Sequence, residues 1–179
     1  MQTEPHVVIV GGGFSGAAVA IHLLRLAPVG VRVTLLEPRE VPGAGVAYST
    51  TEPSHRINVP AARMQLAGEE EGAFDRWYRS QPAFADDPHA LLADGAVYPQ
   101  RGQFGRYVAQ RFAEEARANL TTLEQVFVID NGDLETLTAG GSQVGDEQLD
   151  ERIASQERSS LATIIYTSGT TGRPKGVEL

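Results

Sequence analysis

The apolar run His6-Val7-Val8-Ile9-Val10 passes directly into Gly11-Gly12-Gly13-Phe14-Ser15-Gly16, and this junction constrains the fold more than any other part of the chain. The run predicts a strand buried on both faces, as in a parallel sheet. Ala17 to Leu26 follows with Ala18, Ile21, Leu24 and Arg25 at helical spacing, and Pro28 and Gly30 stop it. Val31-Arg32-Val33-Thr34-Leu35-Leu36 predicts a second strand that finishes on Glu37. Strand, glycine turn, helix and strand in that order make a β-α-β unit.

Each part of the unit has a physical reason. Gly11 permits the tight turn, Gly13 lets backbone approach a pyrophosphate without a Cβ in the way, and Gly16 allows the helix to pack closely on the strand. Phe14 and Ser15 open the helix, whose free N–H groups and partial positive charge favour phosphate. Glu37 stands 21 residues after Gly16, placed to accept hydrogen bonds from a ribose diol, and it would repel the 2′-phosphate of NADP. A bare GxGxxG is weak, but strand, helix, second strand and acidic end agree here in order and spacing.

A second glycine-rich segment closes the chain. Leu161-Ala162-Thr163-Ile164-Ile165-Tyr166 predicts a strand running into Thr167-Ser168-Gly169-Thr170-Thr171-Gly172-Arg173-Pro174-Lys175-Gly176. Four hydroxyl donors, three glycines and one lysine can wrap polyphosphate oxygens, with backbone amides adding a nest. It is not a Walker A loop, because no Gly-Lys-Ser/Thr follows Gly169 at the required interval. Lys175 is the only lysine of the chain.

Composition narrows the chemistry. The absence of cysteine excludes disulfides, thiol catalysis and cysteine-based zinc sites, and the four histidines are scattered, so no metal site is expected. The net charge of −8 is uneven, −2 over residues 1–120 and −6 over residues 121–179, which does not suit nucleic-acid binding. No run approaches the roughly 20 apolar residues of a membrane span. With no secretory signal in view, the expected location is the cytoplasm.

Between the two glycine segments, Glu69-Glu70-Glu71 ahead of Phe74, Trp77 and Tyr78 predicts an acidic first helical turn. In Gly102 to Ala118, Phe104, Tyr107, Val108, Phe112 and Ala116 form one helical face, better explained as core than as a cofactor site. Arg101 is expected to cap or anchor that helix. Gln125 to Asp130 predicts a strand, Asp133 to Gly145 a loop or weak helix, and Asp146 to Glu157 an exposed acidic helix.

Val-Ile-Val-Gly-Gly-Gly-Phe-Ser-Gly resembles the start of the FAD/NAD(P)-binding flavoproteins. Gly45-Val46-Ala47-Tyr48-Ser49, His55 to Ala61 and Tyr98 to Tyr107 are similar to a bacterial family of FAD-dependent oxidoreductases distantly related to flavin N-hydroxylating monooxygenases. The likeness covers about residues 5 to 117. It implies FAD rather than NAD as the cofactor, with NAD(P)H as a second nucleotide of the family. Gly11, Gly13, Phe14, Ser15, Gly16 and Glu37 would hold the ADP part. Arg56 and Asn58 would lie near the flavin or its phosphates, or else belong to a loop tied down by side-chain hydrogen bonds.

Leu161 to Val177 resembles the phosphate loop of long-chain acyl-CoA synthetases, in the adenylate-forming (AMP-binding) superfamily, and the likeness covers about residues 122 to 179. It implies that Thr167, Ser168, Gly169, Thr170, Thr171, Gly172 and Lys175 contact the phosphates of ATP, with Mg as its companion ion. The other parts of both parent folds are not recognisable, so neither an oxidoreductase nor a ligase is expected to be active as this chain. The fold expected is α/β: a truncated Rossmann-like β-α-β dinucleotide-binding unit over residues 1–120, with an appended incomplete adenylation-domain fragment over residues 121–179. An exposed sheet edge offers a route to self-association. The strands near 125–129 and 161–166 are expected to form a loose appendage rather than to extend the first sheet.

Overall fold

A computed structural model describes residues 6–26, 31–67, 70–119, 123–128, 132–155, 164–167 and 175–178. The chain divides into two compact units, Met1–Leu134 and Glu135–Leu179. The first contains strand β1 (His6–Val10), helix α1 (Phe14–Leu26), strand β2 (Arg32–Glu37) and the short helices α2 (Gly45–Tyr48), α3 (Ala73–Arg79) and α4 (Pro82–Ala85). The long helix α5 (Arg101–Ala118) and strand β3 (Leu123–Val128) complete it.

The three strands form one parallel sheet in the order β1-β2-β3. Parallel neighbours need a crossover, which α1 supplies between β1 and β2 and the α2–α5 region between β2 and β3. The pairing of Thr34 to Glu37 with Gln125 to Val128 corrects the expectation of a loose appendage. β2 is apolar and central, and its second edge is satisfied by β3 backbone. A one-residue register shift falls between Val33 and Thr34, so the two ladders meet with a local irregularity.

Strand alternation places Val7, Ile9, Val33 and Leu35 on one sheet face, where they join Ala17, Ala20 and Ile21 of α1 in the core. The opposite face of β1 departs from its sequence pattern. Val8 is 52% exposed and Val10 81% exposed, so β1 is buried on one face only. The physical reason is that a sheet face is buried by the layer packed over it: the Ile9 face lies against Ala17, Ala20 and Ile21 of α1, whereas Val8 and Val10 point to the uncovered face.

Helix α5 packs along α1, and Phe104, Tyr107, Val108 and Phe112 are buried as their spacing predicts. Phe74 and Tyr78 of α3 are fully buried with them. Phe74 meets Phe104 edge-on with ring centroids 4.9 Å apart, and lies 5.4 Å from Tyr107. Each such ring contributes roughly 2–3 kcal/mol through burial, and well-oriented pairs add about 1 kcal/mol. This aromatic layer joins α3 to α5.

The acidic run before α3 is not its first turn. The helix starts at Ala73 after Gly72, whose φ of 70° breaks the helical path. Glu70 instead bridges Arg25 of α1 at 2.9 Å and Arg111 of α5 at 3.0 Å. Arg25 also reaches Glu115 at 2.6 Å. An ion cluster thus ties three elements together, while Glu69 lies outside the described residues.

Helix α6 (Asp133–Gly141) runs across the boundary between the two units, and helix α7 (Asp146–Ala154) lies in the second. Every residue of α7 is exposed, in keeping with its acidic sequence, and the helix ends before the expected Glu157. Strands β4 (Ile164–Thr167) and β5 (Lys175–Glu178) form a separate antiparallel pair. The expected strand at 161–166 is therefore described from Ile164, and it does not join the parallel sheet. No described helix is long and apolar enough to cross a membrane.

Candidate functional site

The glycine turn lies at the carboxyl end of β1, beside the carboxyl end of β2. Its backbone is tied across the strands by the Gly11 amide, which donates to the Leu36 carbonyl at 2.7 Å. Gly11 has a φ of 94°, which a side chain would strain, so the first glycine serves the turn as its spacing predicts. Gly16 also meets its expected role. A Cβ built there would stand 1.8 Å from the Gly11 carbonyl oxygen, so helix and turn touch at backbone distance.

Gly13 has a neighbour that its motif did not foretell. A Cβ at Gly13 would approach Gly45 Cα to 3.3 Å, and one at Gly45 would approach Gly13 Cα to 3.0 Å. The segment after β2 therefore folds back onto the turn, held by the Gly43 amide donating to the Gly12 carbonyl at 2.6 Å. The same segment rests on α5, where a Cβ at Gly105 would meet the Tyr48 carbonyl oxygen at 2.5 Å. Small residues on three elements make one close-packed seam. The glycine pairs Gly43/Gly45 and Gly102/Gly105 were its sequence signal.

Phe14 and Ser15 separate in role. The Phe14 ring packs into the core, 5.5 Å from Phe104 and 6.1 Å edge-on to Tyr48. Ser15 is exposed at the helix start. Glu37, in contrast, is only 2% exposed. One carboxylate oxygen accepts from the Gly12 amide at 2.5 Å, and the other accepts from the Arg39 amide at 3.1 Å and Arg39 Nη1 at 3.3 Å.

The two distant segments singled out with Arg56 are brought together. Ile57 N donates to the Pro99 carbonyl at 3.0 Å, Ala61 N to Val97 at 2.8 Å, and Arg101 N to His55 at 2.8 Å. Arg101 Nε donates to the Arg56 carbonyl, so Arg101 does anchor the start of α5. The Arg56 guanidinium forms a bidentate pair with Asp87, at 3.0 and 2.7 Å, and also donates to the Tyr98 carbonyl. The Arg56 side chain is thus tied to the loop by side-chain hydrogen bonds. Asn58 is exposed.

Asp87 was missed by sequence reading, and so was the link from Tyr78 to it, since nothing local connects either residue to Arg56. The Tyr78 hydroxyl donates to the Ala83 carbonyl at 3.2 Å and faces Asp87 at 3.5 Å. Burial, and then the neighbouring Asp87 charge, push the phenol up to about 12 from its ordinary 10.0. Unfolded chain would lose this proton first as pH rises, so stability from the buried phenol is complete below pH 10 and declines through pH 12. A denaturation series over that interval should show a loss of up to ~3 kcal/mol, absent in Tyr78→Phe.

At the C-terminal pair the register sets Thr167 opposite Lys175 and Tyr166 opposite Gly176. Ser168, Gly169, Thr170, Thr171 and Gly172 lie outside the described residues. A cavity of about 310 Å³ lies between α3 and α5, walled by Trp77, Tyr107 and Arg111 among others, and includes no residue of either glycine segment.

The profile of the FAD-NAD(P)-binding family matches residues 8–150, from β1 through β3 and into α7. The chain belongs to the FAD-NAD(P)-binding family. Its Rossmann-like region is an oxidoreductase-type module, and the cofactor class is a flavin or nicotinamide nucleotide. The C-terminal region is similar to long-chain-fatty-acid–CoA ligases: 56% identical over 39 residues to one from Xenopus laevis, and 50% over 46 residues to one from Mycobacterium tuberculosis. These stretches are 22% and 26% of this chain but only 5% and 8% of the ligases. Among solved structures, native FqzB is similar at a TM-score of 0.33 and 16% identity, over 69% of this chain and 29% of that one.

Proposed function

We propose that the first unit of this FAD-NAD(P)-binding protein holds FAD by its ADP moiety at the glycine turn. The supporting observation is the backbone contact between Gly16 and the Gly11 carbonyl, which seats the start of a 13-residue helix directly on the turn. Amides and dipole then converge where a pyrophosphate would lie. Gly11, Gly13, Gly16, the exposed Ser15 and the Phe14 backbone form the phosphate side, and Glu37 closes the ribose side. Glu37 favours a diol over a 2′-phosphate, because a second negative charge there would be repelled at close range. FAD bound at this site would supply hydride and electron transfer. The chain's own contribution in this reading is to bind and orient the nucleotide.

Titration of FAD into the purified chain, followed by quenching of flavin fluorescence, tests the reading. Saturable binding that ADP competes away is expected. Unchanged fluorescence across the titration, with no flavin retained after gel filtration, would sink it.

A second reading applies to the C-terminal pair, where the register sets Thr167 across from Lys175 in a region similar to the ligases. Here Thr167, Ser168, Gly169, Thr170, Thr171, Gly172 and Lys175 bind ATP phosphates with Mg. Equilibrium dialysis with ATP should show binding that Lys175→Ala weakens, and equal affinity in that variant argues against it.

A further inference from the structure

We infer that Glu37 is a positioning residue for the phosphate-binding turn, acting through the Gly12 amide, and that this contact is why the turn carries three consecutive glycines. The inference rests on the reading of the turn as an ADP site, and gives Glu37 a task that does not involve the ribose.

The GxGxxG spacing leaves its second position open, so no phosphate or turn geometry requires glycine at residue 12. The tertiary structure does. A Cβ at Gly12 would stand 2.9 Å from Glu37 Cβ, 3.1 Å from Oε2 and 3.2 Å from Cγ. Glu37 lies flat against a bare backbone, and its oxygen receives the Gly12 N–H inside the protein. On its other side the Gly12 carbonyl accepts from Gly43. Both polar groups of residue 12 are thus occupied by protein, and its peptide is held from two directions. The amides that follow it, at the helix start, inherit a fixed direction.

Lone-pair accounting supports the same role. A carboxylate offers about four acceptor sites. Three donors already use Glu37: the Gly12 amide, the Arg39 amide and Arg39 Nη1. A ribose diol brings two further donors. The Arg39 side chain, 39% exposed, is the donor able to swing away, whereas the Gly12 amide is buried backbone fixed against Glu37. The bracing bond therefore persists while Arg39 gives way to the sugar.

The test separates bracing from ribose recognition by using a ligand without a diol. ADP and 2′,3′-dideoxy-ADP are titrated into the full chain and into Glu37→Gln, Glu37→Asp and Glu37→Ala. Hydrogen exchange at the Gly12 amide is measured in each ligand-free protein. Gln keeps an acceptor at the same reach, whereas Asp keeps the charge but is one methylene too short. Bracing predicts that dideoxy-ADP binds Glu37→Gln within about 3-fold of wild type and binds Glu37→Asp and Glu37→Ala ~10-fold more weakly, the effect of one charge-assisted hydrogen bond. Gly12 exchange should rise ~10-fold in Asp and Ala and stay near wild type in Gln.

The Gln-over-Asp order is the reverse of what a purely electrostatic role would give. Equal dideoxy-ADP affinity in all four proteins, with only ADP weakened, overturns the inference. So does unchanged Gly12 exchange. If Glu37→Ala does not fold, Gln against Asp decides. A wild type that binds neither nucleotide defeats the ADP reading instead, and Gly12 exchange then decides the brace by itself.

Discussion

Replacing Gly16 with alanine is expected to destabilise the first unit by more than about 3 kcal/mol. The new Cβ would stand 1.8 Å from the Gly11 carbonyl oxygen, 2.9 Å from its carbon and 3.2 Å from Ile9 Cγ2. None of these can yield cheaply. Gly11 is hydrogen-bonded to Leu36, and the Gly13 carbonyl accepts the Ala17 amide, so turn, β2 and α1 would have to move together. Overpacking commonly costs 1–3 kcal/mol when side chains adjust, and a clash with backbone should exceed about 3 kcal/mol. That is a large part of the 5–15 kcal/mol typical of a whole domain. Urea denaturation followed by circular dichroism measures it, with loss of FAD binding expected in the same variant. Gly140→Ala is the control, because a Cβ there meets nothing within 4 Å and alanine favours a helix by up to ~1 kcal/mol. A Gly16→Ala protein within about 0.5 kcal/mol of wild type would rule out this close contact.

The second large effect belongs to Arg56. Arg56→Met keeps the apolar stem but strands the Asp87 carboxylate, 9% exposed, with the Tyr78 hydroxyl at 3.5 Å as its remaining side-chain partner. Breaking a fully buried pair costs about 3–5 kcal/mol, and the part exposure of the guanidinium reduces this to roughly 2–3 kcal/mol. Removing both charges in Arg56→Met/Asp87→Leu should recover part of the loss. A double variant less stable than the sum of the two single changes would argue against the pair.

The acid limb gives an independent readout. The hydrogen bond from Arg56 holds the Asp87 carboxyl below its ordinary 3.8, so unfolded chain takes up the proton first as pH falls. The pair's contribution is complete above the ordinary carboxylate range and is lost as pH falls through the lowered value. Arg56→Met should flatten that limb of the stability profile.

Part of the candidate site is legible in the sequence. Gly11 and Gly16 do what their spacing requires, because turn formation and helix–strand contact act over a handful of residues. Helix α5 is similar: its buried Phe104, Tyr107, Val108 and Phe112 recur at the helical period, and the period is a local property. Phe74 and Tyr78 of α3 are fully buried against the same helix.

The misreadings share a cause. β1 has the composition of a doubly buried strand, yet Val8 and Val10 are exposed, because burial depends on what packs over each face of a strand. Glu70 sits in an acidic run that suits a helix start, and instead joins Arg25 and Arg111, residues far from it in the chain. β3 was assigned elsewhere because its own residues do not state which edge they extend.

Sequence by itself determined the order of strand, glycine turn, helix and strand, together with the family chemistry that order carries. Each step there is enforced by neighbours within one helical turn or one strand. Tertiary structure alone decided that Glu37 lies on Gly12, that Asp87 receives Arg56, and that Gly45 closes on Gly13. Those contacts join residues 25 to 32 positions apart, and no local period encodes which distant partner will satisfy a buried charge or fill the space above a glycine.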